Sequence, residues 1–219
     1  MWDSRVTFLH LVLTILLFAI NSMAGSYMPT VSNVTTKNRI LRGDDDINLA
    51  YVLNSTLASE HSNFDIRLAR GRTPFLIIKH VPTNTTGKLY PSGKFTTIGS
   101  KSVNGAMDGY YSIREFIANE GQVPVDADEF SVTSIMAKVT TPFRINLDKL
   151  ARDNMSVMFE CELCANATVR RITVPDTTAT VSANGKVNIT ASNQSATIQH
   201  LNDAWSVLRP MLENARAFE

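Results

Sequence analysis

Cys161 and Cys164 stand three residues apart as a lone C-x-x-C, the one cysteine pair in the chain. A structural zinc takes four ligands. No second cysteine pair exists, and the histidines (His10, His61, His80, His200) are scattered. A dithiol redox motif calls for a strand-to-helix turn, whereas FECELCANAT reads as extended, so the pair is read as ordinary loop or strand-edge cysteines. No histidine neighbours a Ser or Cys in a nucleophile signature, no Gly-rich loop opens a helix to hold phosphate, and no carboxylate pair falls in a pocket motif. The chain reads as a non-enzyme with no metal site and no cofactor. Two cations, Lys94 and Lys186, each follow a glycine.

Those two lysines belong to a segment that occurs twice. TTGKLYPSGKFTTIGSKS (Thr85 to Ser102) is matched without gaps by TTATVSANGKVNITASNQ (Thr177 to Gln194). Each copy opens on Thr-Thr, turns at Gly-Lys and runs into a helical pattern, which implies one supersecondary unit built twice. Ser92-Gly93 and Asn184-Gly185 suit tight hairpins, the second being the stronger two-residue turn signal. Upstream of the first copy lie a strand within PTVSNVTTKNRI, a short helix in INLAYVLN after Asp44 to Asp46, a polar loop STLASEHSN, and a strand in RTPFLIIKHV. Upstream of the second lie a strand in FSVTSIMAKVTTPF, a short helix in INLDKLARDN, and the kinked, extended MFECELCANATVRRITV.

A long helix closes each half. Met107, Tyr110, Ile113 and Ile117 mark the first, over Ser102 to Asn119. Ile198, Leu201, Trp205, Leu208 and Leu212 mark the second. Repeated strand, short helix, strands, long helix makes an α+β domain, with helices on one face of an antiparallel sheet and the other face open. The open face is where a partner belongs.

Bulk composition excludes little. The chain has 219 residues, and a net charge of +1 raises no global basic field to announce nucleic acid. Residues 1–27 hold an apolar leader, VTFLHLVLTILLFAI, in signal-peptide form and short for a membrane span. Seven Asn-x-Ser/Thr sites (Asn33, Asn54, Asn84, Asn154, Asn166, Asn188, Asn193) would be glycan acceptors in a secreted chain.

The doubled motif order resembles the TATA-box-binding protein (TBP) family, over residue 28 to the end. In the second half FSVTSIMAKVTTPFRINLDKL, FECELCANATVRRI and VSANGKVNITA follow the family's strand, short helix, stirrup and hairpin. In the first, TTGKLYPSGKFTTIGSKS is similar to its T-T-A-L-I-F-x-S-G-K-x-V-x-T-G-A-K-S stretch. The resemblance implies a pseudo-two-fold saddle, with a curved antiparallel sheet beneath and two long helices on the convex face, made from a first repeat at 28–121 and a second at 122–219. It further implies a nuclear general transcription factor that binds double-stranded DNA in the minor groove, where inserted wedges unstack bases and bend the duplex.

Residue by residue, the family's wedge positions carry Tyr90, Cys164, Ser182 and one residue from Thr73 to Phe75. Its two central asparagines carry Asn33 and Ser134. The remaining groove-facing positions carry Thr35, Lys88, Thr96, Ile98, Met136, Thr180, Asn188 and Thr190. With polar residues replacing so many apolar ones, the expectation is weak TATA specificity and mild bending. Phosphate contacts fall to Lys79, Lys94, Lys101, Arg170 and Lys186, with Asn193 where a lysine would mirror Lys101. Glu160, Glu162 and Leu163 keep the second stirrup's pattern, which in the family docks the general factor TFIIB. A TFIIA-like factor is a further candidate partner, although Asp108, Glu115 and Glu120 remove the basic helix face usual in the family. The alternative reading is a secreted glycoprotein with the same fold and no DNA role.

Overall fold

A computed structural model of the chain describes residues 27–39, 46–57, 63–125, 130–172, 177–192 and 196–217. The apolar leader, Asp44, Asp45, Asn193 and most of the polar loop lie outside the described residues.

Among the described residues ten strands form one sheet. In chain order they are β1 (Thr30–Arg39), β2 (Phe64–Ala69), β3 (Phe75–His80), β4 (Thr85–Leu89), β5 (Lys94–Ser100), β6 (Val132–Thr140), β7 (Val157–Met158), β8 (Asn166–Arg170), β9 (Thr177–Ser182) and β10 (Lys186–Ala191). The helices are α1 (Leu49–Leu57), α2 (Val103–Asn119), α3 (Leu147–Asp153) and α4 (Ile198–Asn214). Spatial order is β2-β3-β4-β5-β1-β6-β10-β9-β8-β7. Reading outward from the central β1–β6 pair, each half repeats the same antiparallel sequence of strands, so the sequence repeat has become a pseudo-two-fold axis.

Strand alternation fixes which face is covered. In β3 Leu76, Ile78 and His80 are buried while Phe75, Ile77 and Lys79 are partly open; β6 buries Ile135, Ala137 and Val139. The buried positions meet the long helices, α2 over β4, β5, β3 and β1, and α4 over β10, β6 and β9. One core gathers Leu76, Ile78, Leu89, Phe95, Tyr110, Ile113 and Ile117; the other gathers Ile135, Val181, Ile189, Leu201, Trp205 and Leu208. Phe130 packs against both clusters. Every helix among the described residues lies on this side, and the alternate strand positions form a face that no described element covers.

Local chemistry accounts for the element ends. Ser102 caps α2 by accepting from Gly105 N (3.0 Å), and Asn146 caps α3 by accepting from Lys149 N (2.9 Å). α2 can settle on the sheet because Gly109 has no Cβ, which would strike the Thr85 side chain.

Three local readings are corrected. The strand β2 was not expected from NFDIRLA, although Phe64, Ile66 and Leu68 alternate with Asp65 and Arg67. Both hairpins are three-residue turns in which only the glycine is left-handed (Gly93 φ 71°, Gly185 φ 85°), with Gly185 N donating to Ser182 O at 3.0 Å. Asn184 therefore keeps a negative φ, and the Asn-Gly pair does not form the two-residue turn its type favours. Finally, FECELCANAT is not simply extended. Leu163 N and Cys164 N both donate to Glu160 O (3.0 and 2.9 Å), so residues 160–164 close one turn between β7 and β8.

Candidate nucleic-acid interface

Cross-strand pairing lines up the open-face residues in rows that run the length of the sheet. In the first half one row reads Arg67, Ile77, Lys88, Thr96, Lys37, from β2 through β3, β4 and β5 to β1. In the second half its counterpart reads Met158, Thr168, Thr180, Asn188, Lys138. A neighbouring pair of rows is Asp65, Lys79, Thr86, Ile98 and Arg170, Thr178, Thr190, Met136. Around the seam, Asn33 sits opposite Met136 and Thr35 opposite Ser134. Nine inter-strand gaps of about 4.8 Å make the face roughly 43 Å long. That is about a dozen base-pair steps at 3.4 Å each.

Charge is sorted between the two faces. The open strand positions carry Lys37, Arg67, Lys79, Lys88, Lys94, Lys138, Arg170 and Lys186, against the single acid Asp65. The described strand side chains on this face thus sum to +7, while the whole chain sums to +1, so the remainder of the molecule is net acidic. Low overall charge had concealed a basic surface.

The expected groove set, Asn33, Thr35, Tyr90, Thr96, Ile98, Ser134, Met136, Ser182, Asn188 and Thr190, is brought together here, every member partly exposed. Lys79, Lys94, Arg170 and Lys186 share the face. Lys101 lies beyond the strand, exposed in the short link between β5 and α2. Lys37, Arg67 and Lys138 were missed. Each is more exposed than the residues on either side of it in its strand, Lys138 between buried Ala137 and Val139 and Arg67 between half-buried Ile66 and Leu68, and that period-2 signal could have found them.

No curated protein sequence matches the chain. Residues 129–215 match the model of the family described as transcription factor TFIID (or TATA-binding protein, TBP). Among solved structures, the chain is similar to the TBP of Methanococcus jannaschii at 19% identity and a TM-score of 0.58, over 85% of this chain and 97% of that one. The chain has a TBP-like fold. Its α+β saddle carries the long helices on the convex face, and the rows above line the underside.

The two ends of the TBP-like underside differ. In the first half Phe75 opens β3 and its ring lies 5.3 Å from that of Tyr90. Lys88 Nζ stands 5.5 Å from the Phe75 ring centroid, and Lys94 Nζ 5.4 Å from that of Tyr90. Of the residues from Thr73 to Phe75, Phe75 is the one whose ring lies beside Tyr90. In the second half the same register position holds Asn166, paired with Ser182, whose Oγ donates to Asn166 Oδ1 at 2.7 Å. Cys164 lies two residues earlier, exposed at the turn. One end is aromatic and cationic; the other is small and polar.

Asn33 is more constrained than its expected role implies. Its Oδ1 accepts from Gly99 N (2.7 Å) and its Nδ2 donates to Thr35 Oγ1 (3.3 Å), beside a register shift in the β1–β5 pairing. Its amide therefore helps hold the bulge at the seam. The loops at the two ends differ in sign as well. Arg70 and Arg72 lie exposed between β2 and β3, whereas Glu160, Glu162 and Leu163 lie exposed between β7 and β8, Leu163 at 80%. Among the described residues no group of three His, Cys, Asp or Glu could hold a metal.

Proposed function

We propose that this TBP-like chain is a nuclear DNA-binding transcription factor that lays its open sheet face along the minor groove of duplex DNA. The observation that supports this reading most directly is the gathering of strand cations on the uncovered face. Five to eight of them meeting phosphate would dominate the affinity and carry no sequence information. The hydroxyls and amides between them replace apolar groove contacts, so TATA preference is weak. The aromatic pair Phe75 and Tyr90 makes one end of the duplex the place where bases unstack, and the small pair Asn166 and Ser182 leaves the other end unwedged.

Glu160, Glu162 and Leu163 form an exposed acidic and apolar contact for a TFIIB-like general factor, so the protein bridges promoter DNA to the initiation machinery. The acidic α2 surface, with Asp108 and Glu115 exposed, makes a TFIIA-like factor the weaker partner. The test is duplex titration across a salt series. A fall of log K with log salt of slope about −4 to −7 is expected for that number of phosphates. Absence of binding at low salt defeats the DNA reading. Tagged protein in the nucleus, with no glycosidase-induced shift, is the matching cellular result, and a glycosylated secretory product overturns it.

A further inference from the structure

The cysteine pair is unused by the sheet face, and its geometry supports a role of its own. Glu160 O accepts from both Leu163 N and Cys164 N, so residues 160–164 form a single helix-like turn. Residues three apart in such a turn share a side, with Cβ atoms roughly 5–6 Å apart. A disulfide needs about 3.5–4.5 Å between Cβ atoms, a closure of an ångström or two. Both cysteines are free and exposed, so an oxidant can reach them. The hairpin arms are fixed, Val157 pairing with Val169, Met158 with Thr168, and Asn166 tied to Ser182. Closure is thus confined to the turn. No third metal ligand gathers there among the described residues.

We infer that Cys161 and Cys164 form a reversible redox site, oxidised by small disulfides of the glutathione class, that sets how the turn presents Glu162 and Leu163. Those two residues are the ones enclosed between the sulfurs. In the reaction one cysteine thiolate attacks the external disulfide and expels one small thiol, leaving a mixed disulfide. The second cysteine gives up its proton, attacks the protein-bound sulfur and expels the other small thiol. The protein loses two protons and two electrons, and the disulfide is reduced to two thiols. A ring around two residues removes little freedom from the unfolded chain. It therefore adds little global stability, and a strained, exposed bond of this kind is readily reduced. Its effect is local, holding Glu162 and Leu163 in one arrangement. That consequence rests on the proposed TFIIB-like contact; the disulfide itself does not.

The test equilibrates the full chain in glutathione buffers, traps it with a maleimide and weighs it intact. The oxidised wild type should take up no maleimide and carry no glutathione. Cys161→Ser and Cys164→Ser should each stop at one glutathione adduct. Wild type that accumulates two adducts, or links chain to chain, overturns the site. Purified TFIIB-like factor is then titrated against reduced and oxidised protein, and at least a threefold difference in affinity is expected. Equal, measurable affinities refute redox control of the contact while leaving the contact standing. Lack of binding in both states refutes the contact reading, whatever the mass spectrum shows.

Discussion

Lys88 and Lys138 occupy matching rows in the two halves, and the functional reading makes them near equivalents. Reversing either charge (Lys88→Glu or Lys138→Glu) should lower duplex affinity about tenfold at low salt, flatten the salt slope by about one, and act alike on all sequences. Electrophoretic or fluorescence titration on two unrelated duplexes checks both parts. Tyr90 differs, because its ring has Phe75 and Lys94 beside it and no aromatic counterpart at Ser182. Tyr90→Ala should reduce bending of a circularly permuted duplex, whereas Ser182→Ala should leave bending unchanged. His80 gives a pH signature unrelated to DNA. Burial between Phe64 (ring centroids 5.1 Å apart) and Thr83 (Nδ1 to Oγ1 2.8 Å) lowers its pKa by desolvation. The folded chain favours neutral imidazole, so the unfolded chain takes up the proton first as pH falls below about 6.5. Stability should hold above that value and fall between it and the lowered pKa. His80→Gln should remove that part of the dependence in urea unfolding at pH 7.5 and 5.5.

At the scale of elements, the hairpins and long helices carry the repeat. Gly185 is left-handed and packed so closely that a Cβ would meet Phe143 O at 2.7 Å and the Thr141 hydroxyl. Gly185→Ala should therefore cost about 1–3 kcal/mol in chemical denaturation, the left-handed penalty plus the displaced loop. Helical periodicity located α2 and α4 well, because one buried stripe per helix leaves a 3.6-residue signal. It failed for β2, where Phe64, Ile66 and Leu68, alternating with Asp65 and Arg67, were overlooked beside a polar stretch. The Asn184-Gly185 pair failed differently. Its residue types favour a two-residue turn, but the three-residue loop lets Gly185 O accept from Thr141 N, fixing the turn against the end of β6. A tertiary contact thus selects among turns that local sequence permits.

At the scale of the whole molecule, the seam between β1 and β6 joins two halves that each have their own core. Residues 122–219 alone would leave β6 as an unpaired inner edge, with its ladder of donors and acceptors open to another chain. Light scattering should find that fragment dimeric or aggregated, while the full chain stays monomeric; a well-folded monomeric fragment refutes the account of the seam. The duplicated order of motifs, the two amphipathic helices and the hairpin positions were legible in the sequence, because each depends on spacing within one stretch of chain. The basic face was not. Arg67, Lys88 and Lys37 become neighbours across a row only when strands far apart in sequence pair in register. Net charge sums over both faces and so hides that separation. Sequence determined what each segment could become; pairing in three dimensions decided which side chains act together, since electrostatics depends on distance in space and chain order does not record it.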